Sequence, residues 1–483
     1  MLPLAWPYYV RLFVSFSLFL VAGVFSVMAN DPLFLVLPFA WILIPIIFRF
    51  AVTRTEQLFW LMFIMLPLST ELNITPQLGM DFPDELLMML LTGISIVKLI
   101  HQPKWFPAVL LKHPLFLVLI ISMFWISVTC MYAAEPMQAF KYLLAKTWYI
   151  IPFVLLPQVI LPSRSNIGKM AFCLLMPMLL VVIQSLIRHS FYGFSFKNIQ
   201  QVLAPFFRNH VNYSSMLVCL LPVAWYAWKL TPTDNPKRKW IFYGILIGIT
   251  GLIFAYSRGA WMALLVGIAA AWVIRKKMMG TLVALSILGV FISAAWLITD
   301  KNYMRFAPDH DRTIFHTNFS EHMTATIEMK DVSAAERFYR WIAGARMLAD
   351  RPVTGFGPNA FYLHYRPYTV NRFETWVSDN KEHSTVHNYF LLIALEQGII
   401  GLVLFCVLYF GMLLHIQRLY HRFQSRFYRT VSLTVGMVLV MIGVINCMSD
   451  MIETDKIGSL FWLCLGMTVL LDGKNREERE MLA

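Results

Sequence analysis

Apolar residues fall along the chain in long runs separated by short polar breaks. The runs lie at about 12–29, 33–48, 57–68, 84–100, 114–132, 146–162, 169–187, 213–229, 240–256, 260–274, 281–298, 386–412, 430–447 and 457–472. A helix needs roughly 20 mostly apolar residues to cross a bilayer, so the pattern predicts an all-α polytopic integral membrane protein. The run 57–68 is short and 33–48 is broken by Pro38 and Pro45, which sets the expected number of spans at about 12–14. Between 299 and 385 the apolar pattern lapses into a large hydrophilic stretch with partly helical spacing. Three parts follow: N-terminal membrane helices at 1–298, about eleven of them; an outer loop domain at 299–385; and about three C-terminal helices with a tail at 386–483. No internal repeat or low-complexity linker divides the chain.

Basic residues orient the spans, because short cytoplasmic loops collect Lys and Arg. Alternate loops carry Arg49 and Arg54; Lys98, Lys104 and Lys112; Arg164 and Lys169; Lys237, Arg238 and Lys239; Arg275, Lys276 and Lys277; and Arg418, Arg422, Arg426 and Arg429. The intervening loops are poor in Lys and Arg, and one, TELNITPQLGMDFPDE, is acidic. Both ends are therefore expected in the cytoplasm. The start, MLPLAWPYYVR, lacks a basic n-region and a small-residue cleavage site, so its apolar run reads as a retained first helix.

Composition agrees and narrows the function. Hydrophobic residues make up 58% of the 483 positions and charged residues 14%, against roughly 25% charged in a soluble domain. Such a chain cannot cover a water-facing surface, which excludes soluble enzymes, disordered chains and collagen-like fibres. The net charge of +13 follows from the positive-inside rule and gives no reason to expect nucleic acid. The six cysteines, Cys130, Cys173, Cys219, Cys406, Cys447 and Cys464, form no CxxC or Cys/His cluster, so they indicate neither a disulfide framework nor a zinc site.

Candidate chemistry collects in the outer stretches. In ITGLIFAYSRGAWMALL, Arg258 stands in a tight link between two spans, on the side where positive charge is disfavoured. It is either held there for a purpose or snorkels to lipid headgroups. In SAAERFYRWIAGARMLAD, Ser333 and Glu336 have capping-box spacing, and Arg337 and Arg340 lie three apart beside Trp341 on one helix face. Two guanidinium groups suit a diphosphate; the alternative is a solvated face with a Glu336–Arg340 pair. The loop RPVTGFGPNAF follows, with Gly355 and Gly357, too poor in glycine spacing for a nucleotide fingerprint.

The segment HSTVHNYFLLIALEQGIIG places His387 and Asn388 at the outer end of a span, with Gly398 and Gly401 beyond and His383 just before. On an ideal helix, the eleven residues from His387 to Gly398 complete about three turns. The histidine and the glycines should then share a face that a neighbouring helix approaches closely; a merely interfacial histidine is the bland reading. Glu396 falls on the opposite side and is expected to be a buried acid with a partner that sequence does not identify. RNHVNY adds Arg208 and His210 before another span, with a polar helix start as the alternative.

Together these segments resemble the O-antigen ligase family of bacterial inner-membrane proteins. Its histidine motif, His then Asn/Ser/Gln, nine residues and Gly-x-x-Gly, is similar to His387-Asn388 through Gly398-Ile399-Ile400-Gly401. Its Ser/Thr-Arg-Gly hairpin resembles Ser257-Arg258-Gly259. Its Arg-x-x-x-Trp helix running into Pro-x-x-Gly-x-Gly resembles Arg337, Trp341, Pro352, Gly355 and Gly357. The resemblance implies glycan transfer from an undecaprenyl-diphosphate-linked donor at the periplasmic face of the cytoplasmic membrane. The implied acceptor is lipid A core, another glycan or a protein, and neither metal nor cofactor is implied.

On this basis His387, Arg258 and Arg337 are the expected catalytic residues. Fixed arginines meet charge developing on the diphosphate, and histidine titrates near working pH and serves as general base. Arg340, Asn388, Arg208, His210 and His383 are weaker expectations for donor or glycan binding; Gly355, Gly357, Gly398 and Gly401 are structural. A glycan polymerase or a protein O-oligosaccharyltransferase is the alternative within the family, and a non-catalytic flippase outside it. A flippase should show internal repeats or a polar midplane path, whereas the polar residues noted here collect at outer span ends.

Overall fold

The computed structural model describes residues 8–29, 49–75, 78–107, 110–307, 332–375, 378–380 and 384–482. It is a helical bundle. Among the described residues, eight helices are long and apolar enough to cross a membrane. They are α4 (Pro114–Met131), α5 (Pro136–Ile160), α6 (Arg164–Ser190), α9 (Arg258–Arg275), α10 (Met279–Ile298), α12 (Tyr389–Arg422), α13 (Arg426–Asn446) and α14 (Asp455–Leu482). Five more helices occupy predicted runs: α1 (Tyr8–Ala29), α2 (Thr55–Met65), α3 (Asp84–His101), α7 (His210–Leu230) and α8 (Lys237–Ile253). The run 33–48 lies outside the described residues.

These five fall short of the eight for physical reasons that differ. The 11 residues of α2 extend only about 16 Å, about half of a hydrocarbon core. Helix α3 carries Asp84, Glu85 and Lys98. The run predicted from 146 begins ten residues earlier, because α5 starts at Pro136 and passes through a π turn at Ile151–Leu155 that contains Pro152.

Helix α14 is the axis of the bundle. Every residue from Lys456 to Asp472 is buried, and small residues let neighbours come close: a Cβ on Gly466 would collide with the Phe153 carbonyl of α5. Helix α10 is the opposite case. Leu285, Val290, Phe291 and Ile292 are exposed along it, an apolar surface suited to lipid. Helix α9 packs antiparallel on α13: Gly267 meets Met441, and Ile274 meets Gly436.

The hydrophilic stretch is helical in part. Helix α11 (Val332–Asp350) lies against the first turns of α12, with Gly344 facing Leu391 and Leu395. The acidic loop TELNITPQLGMDFPDE forms an antiparallel hairpin of β1 (Thr70–Thr75) and β2 (Leu78–Phe82), the only sheet among the described residues.

Candidate active site

The helix-face argument for His387 does not hold. Helix α12 begins at Tyr389, with Asn388 as its N-cap: the Asn388 Oδ1 accepts from the Leu391 N–H at 3.0 Å. His387 precedes the helix at φ 53°, a left-handed conformation that costs a non-glycine residue on the order of 1 kcal/mol. The helix also breaks at Gly398, φ 71° and ψ −176°, a region open essentially to glycine alone. His387 and Gly398 therefore share no continuous helix face.

A loop, and not a helix, fills the break. The Phe356 and Gly357 N–H groups donate to the Leu395 and Glu396 carbonyls at 2.9 Å each, and the Ile399 N–H donates to the Pro352 carbonyl at 2.8 Å. Trp125 of α4 donates its indole N–H to the Gln397 carbonyl at 2.8 Å. The backbone groups freed by the kink are thus satisfied from outside. Gly355 (φ 66°) rests against the Glu396 carbonyl, and Gly398 against that of Val353; a Cβ at either would clash. Gly357 (φ 94°) abuts Ala133. Gly401 instead faces the side chain of Gln397 one turn back. Glu396 is buried, and its partners are the Asn359 and Phe361 backbone N–H groups of the same loop region.

His387 is held by the turn between α13 and α14. Its Nδ1 lies 3.7 Å from Asp450 Oδ1, with the ring 33% exposed and Asp450 18%. The Thr385 hydroxyl donates to Asp450 Oδ2 at 2.5 Å. Asn388 Nδ2 donates to the Cys447 carbonyl at 3.0 Å, and the Tyr389 N–H to that of Ser449 at 3.0 Å. Burial works against ionising Asp450, but the His387 ring and the Thr385 hydroxyl outweigh it and hold its carboxyl below the usual range.

Beneath, Lys146 of α5 grips both Glu453 oxygens at 2.9 and 2.8 Å, and Tyr142 donates to Glu453 at 3.2 Å. This anchors the turn that carries Asp450. Sequence reasoning missed Asp450, Lys146 and Glu453. A signal existed for Lys146, an ionisable residue well inside an apolar helix, but the late start assigned to that run hid its depth.

Arg340 is buried in a network of its own. It pairs with Glu336 at 3.2 Å and approaches the Thr385 carbonyl at 3.5 Å. Glu336 in turn accepts from Thr375 and Ser378 at 2.5 Å each, so it faces inward and binds the loop; the pair foreseen as a solvated one is buried. Arg337, one residue past Glu336, is half-buried near the start of α11. Phe338 stacks on Phe306 at 5.3 Å and packs on Trp341 at 5.5 Å.

Arg258 is half-buried and is the first residue of α9, with Ser257 as N-cap. It lies nine residues before Gly267, and Asp450 lies nine after Met441, so the antiparallel packing of α9 on α13 brings Arg258 to the level of Asp450. At the same end, His210 opens α7, capped by Asn209 through N–H donors of Val211 and Asn212 at 3.0 and 2.9 Å. Arg208 is exposed, 3.7 Å from Glu71. Lys456, donating to the Phe206 and Ser69 carbonyls, ties this stretch to the start of α14. His383 lies outside the described residues.

The class is thus a polytopic α-helical membrane protein with a histidine–carboxylate pair and arginines gathered at one end of the bundle. Residues 243–406, about a third of the chain, match the family model described as O-antigen ligase. The match takes in Arg258, Arg337 and His387 and stops short of Asp450. Among curated proteins, none matches the chain closely enough to narrow the assignment.

Proposed function

We propose that the protein is a glycosyltransferase of the cytoplasmic membrane of bacteria that moves a glycan from undecaprenyl diphosphate to an acceptor hydroxyl at the periplasmic face, as an O-antigen or similar surface-polysaccharide ligase. The observation that carries this reading is the His387–Asp450 pair, at 3.7 Å, on the same end of the bundle as Arg258. The Asp450 carboxylate faces Nδ1 as a nearby charge, and Nε2 is left to take a proton. The acceptor oxygen bonds to the anomeric carbon as its proton passes to His387. The bond from that carbon to the diphosphate oxygen breaks, and its electron pair leaves with the diphosphate. Arg258 and Arg337 meet that charge in a site poor in water, where each interaction is worth several kcal/mol. Attack opposite the leaving group inverts the anomeric centre. Arg340, committed to Glu336, positions the Thr385 segment and contributes charge only from behind.

The test is transfer by the purified protein from a defined carrier-linked glycan, with lipid A core and a second carrier-linked glycan as competing acceptors. Product on lipid A core supports a ligase, a lengthened carrier-linked product a polymerase. Transbilayer movement of donor without transfer would overturn the enzymatic reading. His387→Ala should lower single-turnover rate by about 10²–10⁴ while donor affinity stays nearly unchanged. An unaltered rate at saturating donor would remove His387 as base.

A further inference from the structure

Near the other end of α12, 28 residues beyond His387 in the sequence, a second cluster of ionisable groups draws three helices together. His113 caps the start of α4, His415 is on α12 and Asp472 is on α14. His415 Nε2 lies 3.1 Å from Asp472 Oδ1, His113 Nε2 lies 3.9 Å from Oδ2, and the two rings meet edge to face at 5.2 Å. One ligand atom from each of the three falls within 4.8 Å of the others.

We propose that His113, His415 and Asp472 form a divalent transition-metal site, with zinc as the ion its donors fit best. Two imidazoles and one carboxylate are a donor set suited to zinc or ferrous iron. Tetrahedral zinc with bonds near 2.0–2.1 Å sets its ligand atoms about 3.3 Å apart, so the 3.1 Å edge from His415 Nε2 to Asp472 Oδ1 needs a shift of only a few tenths of an ångström.

The independent sign of a ligand is His113 itself. It is 2% exposed, and neither ring nitrogen has a hydrogen-bond partner, although buried ring nitrogens are ordinarily paired. The 3.9 Å gap to Asp472 Oδ2 is too long for a hydrogen bond, so the carboxylate does not satisfy the ring. Arg476 holds Asp472 Oδ2 at 2.8 Å, the kind of outer support that ligating carboxylates carry, and leaves Oδ1 to the metal. Arg476 is 54% exposed, so solvent screens its repulsion of the ion. The site would fasten α4 and α12 to the bundle axis at the end opposite the proposed chemistry. The cysteine pattern gave no hint of it, because no cysteine takes part.

The test uses full-length protein in detergent, stripped with a chelator, dialysed and titrated with Co²⁺, then with Zn²⁺ in competition. Visible d–d absorption reaching one equivalent, displaced by zinc and lost in both His415→Ala and Asp472→Asn, is the expected result. No binding by the wild type at micromolar metal, or full binding retained in His113→Ala/His415→Ala, overturns the site. Should either variant fail to fold, X-ray absorption at the zinc edge of the wild type decides: two imidazoles support the assignment, and any other number refutes it. None of these readouts depends on glycan transfer.

Discussion

Replacing Gly398 with Ala perturbs the structure in two separable ways. Its φ of 71° with ψ −176° puts alanine in a region costing on the order of 1–3 kcal/mol. The added Cβ also meets the Val353 carbonyl, backbone that has no rotamer by which to yield. Pushing that loop away endangers the Ile399–Pro352, Phe356–Leu395 and Gly357–Glu396 hydrogen bonds, and each buried group left unpaired costs about 1–3 kcal/mol. Loss of even one brings the total to roughly 2–6 kcal/mol. Thermal unfolding in detergent should fall by on the order of 5 °C. Transfer should fall further, because α12 carries Asn388 and the His387 turn on its short arm before the kink. Gly289→Ala is the control: the site is open, with nothing within 4 Å of a Cβ, and in a helix alanine is favoured over glycine by about 1 kcal/mol. Wild-type Tm and turnover in Gly398→Ala would refute the clamp, and with it the claim that the loop positions the histidine.

Four further outcomes are expected. Asp450→Asn should cut turnover by about 10²-fold or more, with the pH–rate profile displaced because the carboxylate charge beside the His387 ring is lost; an unchanged profile would remove the pair. The depressed pKa of Asp450 adds stability that is fully present above its unfolded value near 3.9 and lost as pH falls through the lower folded value. Asp450→Asn should therefore narrow the stability difference from wild type only below about pH 4, as denaturation midpoints across pH would show. Lys146→Met should destabilise by about 3–5 kcal/mol, since it strands Glu453, and adding Glu453→Gln should restore much of that; a wild-type Tm in the single variant would deny the anchor. Finally, Arg337→Ala should abolish transfer with Arg337→Lys a poor rescue, because lysine lacks the planar fork; full activity of Arg337→Ala, measured alongside membrane insertion, would remove it from the mechanism.

Spans were legible because burial in lipid writes itself locally, as length and hydropathy. Contacts between distant segments were not. Asp450 sits in the short link CMSD with no motif around it, 63 residues beyond His387, and only the packing of α12 on α13 brings them together. The misreading of Gly398 has a similar origin. Periodicity assumes a continuous helix, while the glycine is there to end one, and the Gly355 and Gly357 loop that fills the gap precedes it by some forty residues. Glu396 was rightly read as buried, but its partners are backbone N–H groups, which no side-chain pattern reveals. Arg258 was legible through its tight link, and the depth of Lys146 was lost to a misplaced helix start.

The burial of α14 bears on how the molecule is made. It is the least apolar of the eight long apolar helices, and α12 is the most. A segment wrapped in protein has little need of lipid-seeking side chains, so it enters the bilayer with a weak insertion signal of its own. It follows α5, α12 and α13 in the sequence, so the seam it fills between them stays open until it is made. The space between those helices is thus a waiting slot into which α14 docks after them, and a chain halted before residue 455 would leave its neighbours without their spoke.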